Sequence, residues 1–205
     1  EPVQAENHCR AADAGYLVKV REICRRKGAM LILDETQTGF GRTGTKFAFE
    51  ESGAEPDILV FGEAITGGVF PMTGIAFPRK LKSFFDAHPL IHMSTFGGHD
   101  IGCRVACRAL DEYDRIRPWQ NAMLLGMKLA DRLRSVMEAR PNVIRSMSGK
   151  GLLVSLAFRD AKTAAAFCAQ AARQGVFAAP GEVARHCVVL RPPLTITSDN
   201  VDFIA

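Results

Sequence analysis

The chain has 205 residues, 47% hydrophobic and 23% charged, with a net charge of +4. These are ordinary values for a soluble globular protein with a real core, long enough for one large domain or two small ones. No apolar stretch approaches a membrane span and no signal peptide opens the chain, so neither a membrane nor a secretory role is expected.

The basic excess is dispersed. Its densest run, Arg25-Arg26-Lys27, closes an expected helix, where cations offset the negative end of the helix dipole. Without a basic patch interleaved with aromatics, nucleic acid is not an expected partner. The six cysteines are scattered without CxxC pairs, which points to a reduced, cytoplasmic setting.

The opening Glu1–Glu6 reads like the exit of a strand, and Ser198–Ala205 reads like a helix that stops in its second turn with Ser198 as N-cap. Both ends are therefore expected to be cut from something longer. Tyr16, Leu17, Val20, Ile23 and Cys24 recur at helical spacing and Gly28 follows as a stop. The run Ala29–Leu33, closed by Asp34, suits a strand buried on both faces of a parallel sheet. A glycine-rich loop follows. Ile58–Phe61 reads as a second buried strand and Thr73–Phe77 as a third. Helices are expected near Lys80–Phe85 and from Asp100 to Tyr113, with a loop around Ser94–Gly98 between them.

Pro118 marks the expected boundary between two parts, residues 1–117 and 118–205. Beyond it, Met123, Leu124, Met127, Leu129, Leu133 and Met137 hold helical spacing from Trp119 to Glu138. Strands near Val143–Met147, Leu152–Phe158, Val176–Ala178 and Val188–Leu190, with a helix through Ala164–Ala172, complete an α+β layer. Strands alternating with helices make the first part α/β.

Two constellations carry candidate chemistry. His99, Cys103 and Cys107 repeat every four residues and could share a helix face with zinc. The preferred reading is two buried thiols packing as small apolar groups, so no metal is expected. Asp34 ends the most hydrophobic strand, and in open α/β sheets ligands sit outside the carboxyl ends of strands. Such a carboxylate could hold a metal, orient a histidine, pair with a heterocyclic nitrogen, or simply cap a loop.

The words around Asp34 narrow this choice. Leu31-Ile32-Leu33-Asp34-Glu35-Thr36-Gln37-Thr38-Gly39-Phe40-Gly41-Arg42-Thr43-Gly44 resembles the segment LLIxDEVQTGxGRTG of the class III aminotransferases, the ornithine and 4-aminobutyrate type. Pro56-Asp57-Ile58-Leu59 followed by Gly62-Glu63-Ala64-Ile65-Thr66-Gly67-Gly68 resembles that family's PDIxxxGKAxxGG. His92–Gly98 resembles its HxSTYGGN loop, and Glu1–Glu6 its EPxQGE. The resemblance covers nearly the whole chain and implies the type I fold of enzymes dependent on pyridoxal 5′-phosphate (PLP). The chain would hold the latter part of the large PLP domain, residues 1–117, and a truncated small C-terminal domain, residues 118–205.

By that resemblance, Asp34 would accept a hydrogen bond from the protonated pyridine nitrogen of PLP, keeping the ring an electron sink. Gln37 would bond near the phenolic oxygen. Ser94 and Thr95 would grip the phosphate across a homodimer interface, and Glu6 would gate an arginine that binds the substrate α-carboxylate. Arg191 is the candidate for that arginine. It lies directly before Pro192-Pro193, two residues later than in the family's RxxPPLxI, where this chain has Val189. A shift of two keeps the same strand face, and a surface role for Arg191 stays open. Arg42 is expected to bridge to Glu35 or Asp34, or to pin its own loop.

Glu63 stands where the family has its Schiff-base lysine. A carboxylate cannot form an imine, although it can carry a proton. The resemblance implies transfer of an amino group from an amine or ω-amino acid to a 2-oxo acid, but ordinary turnover by this chain is not expected. Three readings of Glu63 stay open: an engineered or selected substitution in an aminotransferase, a natural general base acting on a preformed complex, or a pseudoenzyme that keeps the fold for binding or assembly. PLP would be held non-covalently in each.

Overall fold

A computed structural model of the chain describes residues 1–95 and 97–205. It opens with a short ribbon, β1 (Val3–Gln4) and β2 (Arg10–Ala11), paired antiparallel with Val3 opposite Ala11. Helix α1 (Tyr16–Lys27) follows, with Arg25, Arg26 and Lys27 in its last turn and Gly28 in the left-handed conformation ending it. Leu17 is its buried residue, packed with Leu31, Leu33 and Ala54.

Strand β3 (Ile32–Asp34), the one-turn helix α2 (Phe49–Ser52), β4 (Ile58–Phe61) and β5 (Gly74–Ala76) come next. The sheet has the order β3-β4-β5. β3 and β4 are parallel, with Asp34 opposite Val60, and β5 joins antiparallel, with Gly74 opposite Phe61. The apolar run thus yields a shorter strand than its length suggests. The expectation of burial on both faces also fails, because Leu33 is buried but its neighbour Ile32 is 56% exposed. Alternate side chains point to opposite faces, and among the described residues nothing covers the one that carries Ile32.

After a 3-10 turn at Arg79–Leu81, α3 (Lys82–Ala87) leads to the Ser94–Gly98 loop and α4 (Asp100–Ile116). Phe96 of that loop lies outside the described residues. α4 stops at Arg117, a non-glycine residue with φ 47°, and α5 (Pro118–Ala139) starts at once. Proline suits a first helical position, where its missing N–H is not needed.

The rest of the chain is β6 (Ile144–Lys150), β7 (Leu153–Phe158), α6 (Ala161–Arg173), β8 (Ala179–Pro180), β9 (Cys187–Leu190) and α7 (Ser198–Ile204). Its antiparallel sheet runs β6-β7-β9-β8. Leu129 and Leu133 of α5, Leu156 and Phe158 of β7, Val188 of β9 and Val201 of α7 form the largest core. Asp160 caps α6 by accepting the Thr163 N–H at 2.7 Å. The cap of α7 is Thr197, which accepts the Asn200 N–H, one residue earlier than the expected Ser198. Both residues are hydroxyl-bearing, so spacing alone does not separate them.

Candidate active site

The parallel pair β3-β4 sets the site. Asp34 is the last residue of β3, exposed, and its Oδ1 accepts the Thr36 N–H at 2.9 Å. Gln37 is exposed on the turn just beyond. At the end of β4, Gly62 precedes a 3-10 turn spanning Glu63–Thr66. A Cβ at Gly62 would stand 2.8 Å from the Thr36 carbonyl oxygen, so only glycine lets the two strand ends approach this closely. Asp34 and the exposed Glu63 are thereby brought to the same carboxyl edge of the sheet.

The Glu63 turn is anchored from outside. The Tyr113 hydroxyl of α4 donates to the Ala64 carbonyl at 2.6 Å. Buried Thr66 has its Oγ1 2.6 Å from the Phe70 carbonyl and 3.0 Å from that of Glu63.

Glu35, not singled out from the sequence for a role of its own, is the most constrained residue near the site. It is fully buried. Its carboxylate accepts hydrogen bonds from Thr38 Oγ1 at 2.5 Å and from the Ala48 and Phe49 N–H groups, both at 2.8 Å. Its own N–H donates to the Val60 carbonyl, and its carbonyl accepts from Gly39. A buried carboxylate needs such partners to offset its desolvation. One residue thus fixes the Asp34–Gln37 turn against α2 and β4. The only signal in the sequence was an acid directly after a strand-ending acid.

Glu6 and Arg191, far apart in sequence, form an ion pair. Glu6 also accepts the Glu182 N–H at 3.0 Å. That backbone hydrogen bond, and then the Arg191 guanidinium, hold the Glu6 carboxyl below its ordinary range. Val189, at the family's usual arginine position, instead packs against the Val3, Ala5 and Leu153 cluster. Arg42 bridges to neither Glu35 nor Asp34. Its Nη1 donates to the carbonyls of Pro192 at 2.5 Å and Leu152 at 3.2 Å.

Ser94 and Thr95 lie on the exposed loop between α3 and α4, where the Ser94 carbonyl accepts the Gly97 N–H. Of the cysteine face, Cys103 is half-buried and Cys107 exposed, because that side of α4 is only partly covered. His99 stacks on Phe70. Among the described residues no group of three or more His, Cys, Asp or Glu side chains is placed to hold a metal.

All 205 residues match the family model of the class-III aminotransferases. The chain belongs to that family. The similar solved structures include an ornithine aminotransferase from Toxoplasma gondii, with 30% identity and a TM-score of 0.91, and an acetylornithine aminotransferase from Elizabethkingia anophelis, also 30% and 0.91. An (S)-enantioselective omega-transaminase from Thermomicrobium roseum shares 32% identity at a TM-score of 0.88. Each match covers 99% of this chain but only 47%, 53% and 47% of the respective relative. The chain thus spans about half the length of these structures. Its fold is that of the PLP-dependent type I aminotransferases.

Proposed function

We propose that this chain is the cofactor-crevice and C-terminal part of a class III aminotransferase, in two parts meeting at Arg117, and that it binds PLP without covalent attachment. The observation that carries the reading is the shared edge of Asp34 and Glu63 at the ends of two parallel strands. The residues present fit the cofactor. Among the described residues Asp34 Oδ2 accepts no hydrogen bond while Oδ1 is held by Thr36, so a carboxylate oriented by its own turn has a free oxygen for a ring N–H.

When bound, PLP supplies an electron sink for the charge left as a substrate Cα–H bond breaks. Asp34 would keep a proton on the ring nitrogen through a charge-assisted hydrogen bond. Gln37, on the adjoining turn, would orient the ring from its phenolic side. Glu63 occupies the family's lysine position in this reading. Its carboxylate can take up and return a proton at Oε, but it has no amine with which to bond the cofactor aldehyde. Arg191, released from Glu6, would bind a substrate carboxylate. Ser94 and Thr95, on their exposed loop, suit a phosphate bound to a second copy of the chain, so the functional unit would be a homodimer. An amine or ω-amino acid as donor and a 2-oxo acid as acceptor follow from the same reading.

Equilibrium dialysis of the full chain against PLP tests the proposal. Reversible binding is expected, with no PLP left after extended dialysis. Asp34→Ala should weaken binding about tenfold or more, the loss of a charge-assisted hydrogen bond of ~1.5–3 kcal/mol. Equal binding by the Asp34→Ala variant would remove Asp34 from the site. A second reading, a non-catalytic binding or assembly module, is favoured by Glu63 alone. It predicts PLP binding without amine transfer when pyridoxamine phosphate and a 2-oxo acid are supplied.

A further inference from the structure

The glycine-rich loop between β3 and α2 joins the two sheets through Arg42. The Arg42 side chain bonds the carbonyls of Pro192 and Leu152, and its own carbonyl accepts the Leu152 N–H at 3.0 Å. The loop is pressed directly on the second sheet's edge: a Cβ at Gly151 would stand 2.6 Å from the Thr43 carbonyl carbon. Burial pushes the Arg42 guanidinium down to about 10, still protonated near neutral pH. Among the described residues no carboxylate pairs with it. A half-buried guanidinium held only by neutral carbonyls is a costly arrangement, and its acceptors therefore identify what it holds in place.

One acceptor is the carbonyl of the residue directly after Arg191. Pro192 and Pro193 have fixed φ angles, so restraining the Pro192 carbonyl restrains the backbone from which the Arg191 side chain extends. The other end of the same loop leads back through Glu35 to Asp34. We propose that Arg42 is a positioning residue for carboxylate recognition, setting Arg191 at a fixed offset from the Asp34 crevice. This rests on the reading of Arg191 as the substrate-carboxylate clamp. It identifies the ligand class as carboxylates whose reacting carbon must reach the crevice while the carboxylate stays on Arg191. Arginine suits the task because its longer side chain and rigid planar guanidinium aim one nitrogen, Nη1, at both carbonyls, whereas lysine presents a point charge on a shorter, flexible stem.

The test is calorimetric titration of the PLP-saturated full chain with glutarate, a dicarboxylate with no reactive carbonyl. Wild type, Arg191→Met, Arg42→Lys and Arg42→Met are compared, with PLP affinity and melting temperature measured in parallel. Arg191→Met should abolish glutarate binding. Arg42→Lys keeps the charge but loses the length and fixed aim that bring Nη1 to the two carbonyls, and should weaken glutarate about tenfold, the value of one such hydrogen bond. Its PLP affinity should stay at the wild-type value. The lysine variant decides the question even where Arg42→Met fails to fold. If Arg191→Met binds glutarate as wild type does, or wild type binds none, the clamp reading falls and the proposal with it. If Arg191→Met loses binding but Arg42→Lys keeps it, the proposal alone is overturned. Parallel loss of glutarate and PLP affinity in Arg42→Lys makes Arg42 a general strut, which also overturns it.

Discussion

In the four-stranded sheet every residue of β7, Leu153 to Phe158, is buried, whereas all four residues of β4 in the three-stranded sheet keep partial access to solvent. The difference lies in what covers each sheet. Helices α5, α6 and α7 all contribute to the core on one face of β7, and the opening segment with Val3, Ala5 and Cys9 packs on Leu153 from the other, so the four-stranded sheet is covered on both faces. The first sheet rests on α1 through Leu17, Leu31 and Leu33, and its opposite face carries Ile32 in solvent. The candidate cofactor-binding residue Asp34 and the candidate catalytic residue Glu63 therefore stand at the less enclosed sheet, where local hydrogen bonds hold their turns.

Substitutions can break or sharpen that contrast. Leu156→Ala in β7 should cost about 2–5 kcal/mol, transfer plus cavity, read by urea denaturation; a cost like that of a surface site would erase the difference between the sheets. Glu35→Gln should cost about 1–3 kcal/mol, because an amide turned towards the Ala48 and Phe49 N–H groups leaves a buried donor unpaired. Here the loss falls on the weakly enclosed sheet through polar bonding alone. Ile32→Thr should change stability by less than about 0.5 kcal/mol in the same measurement. A large effect at Ile32 would mean that its face is covered in solution.

The opening ribbon is tied to the end of β9 at the surface as well, by Glu6 and Arg191. The Glu6 carboxyl is lowered in the folded chain, first by the Glu182 N–H and then by Arg191. A lowered carboxyl contributes stability above its unfolded value, and that contribution is lost as pH falls through the folded value. The bridge should therefore be constant at neutral pH and fade only once pH falls below the ordinary glutamate range, a dependence that Glu6→Gln removes in acid titrations followed by fluorescence of Trp119.

Much of this was legible in the sequence because period and punctuation agree. Helix α1 with Gly28 behind it, and the apolar run into Asp34, follow from spacing alone. The Glu6–Arg191 contact was suggested by family resemblance despite the two-residue offset, and the structure forms it. Other features depend on neighbours distant in the chain. No local pattern says that Ile32 faces solvent, since that depends on which layer covers the sheet. Arg42 was read against the acids nearest in sequence, but its acceptors are carbonyls at Leu152 and Pro192, more than a hundred residues away. Glu35 entered the sequence reading only as a possible partner of Arg42, and only the arrival of Ala48 and Phe49 at its oxygens makes it a buried anchor.

The central claim is that a family crevice is present without its covalent lysine. The most direct test is borohydride reduction of the full chain with PLP, followed by mass spectrometry of the intact protein and its peptides. The account predicts no pyridoxyl adduct on the chain as it stands and a single adduct at position 63 in the Glu63→Lys variant. An adduct on another lysine of the unaltered chain, such as Lys46, Lys80 or Lys82, would contradict it and make that lysine the attachment site.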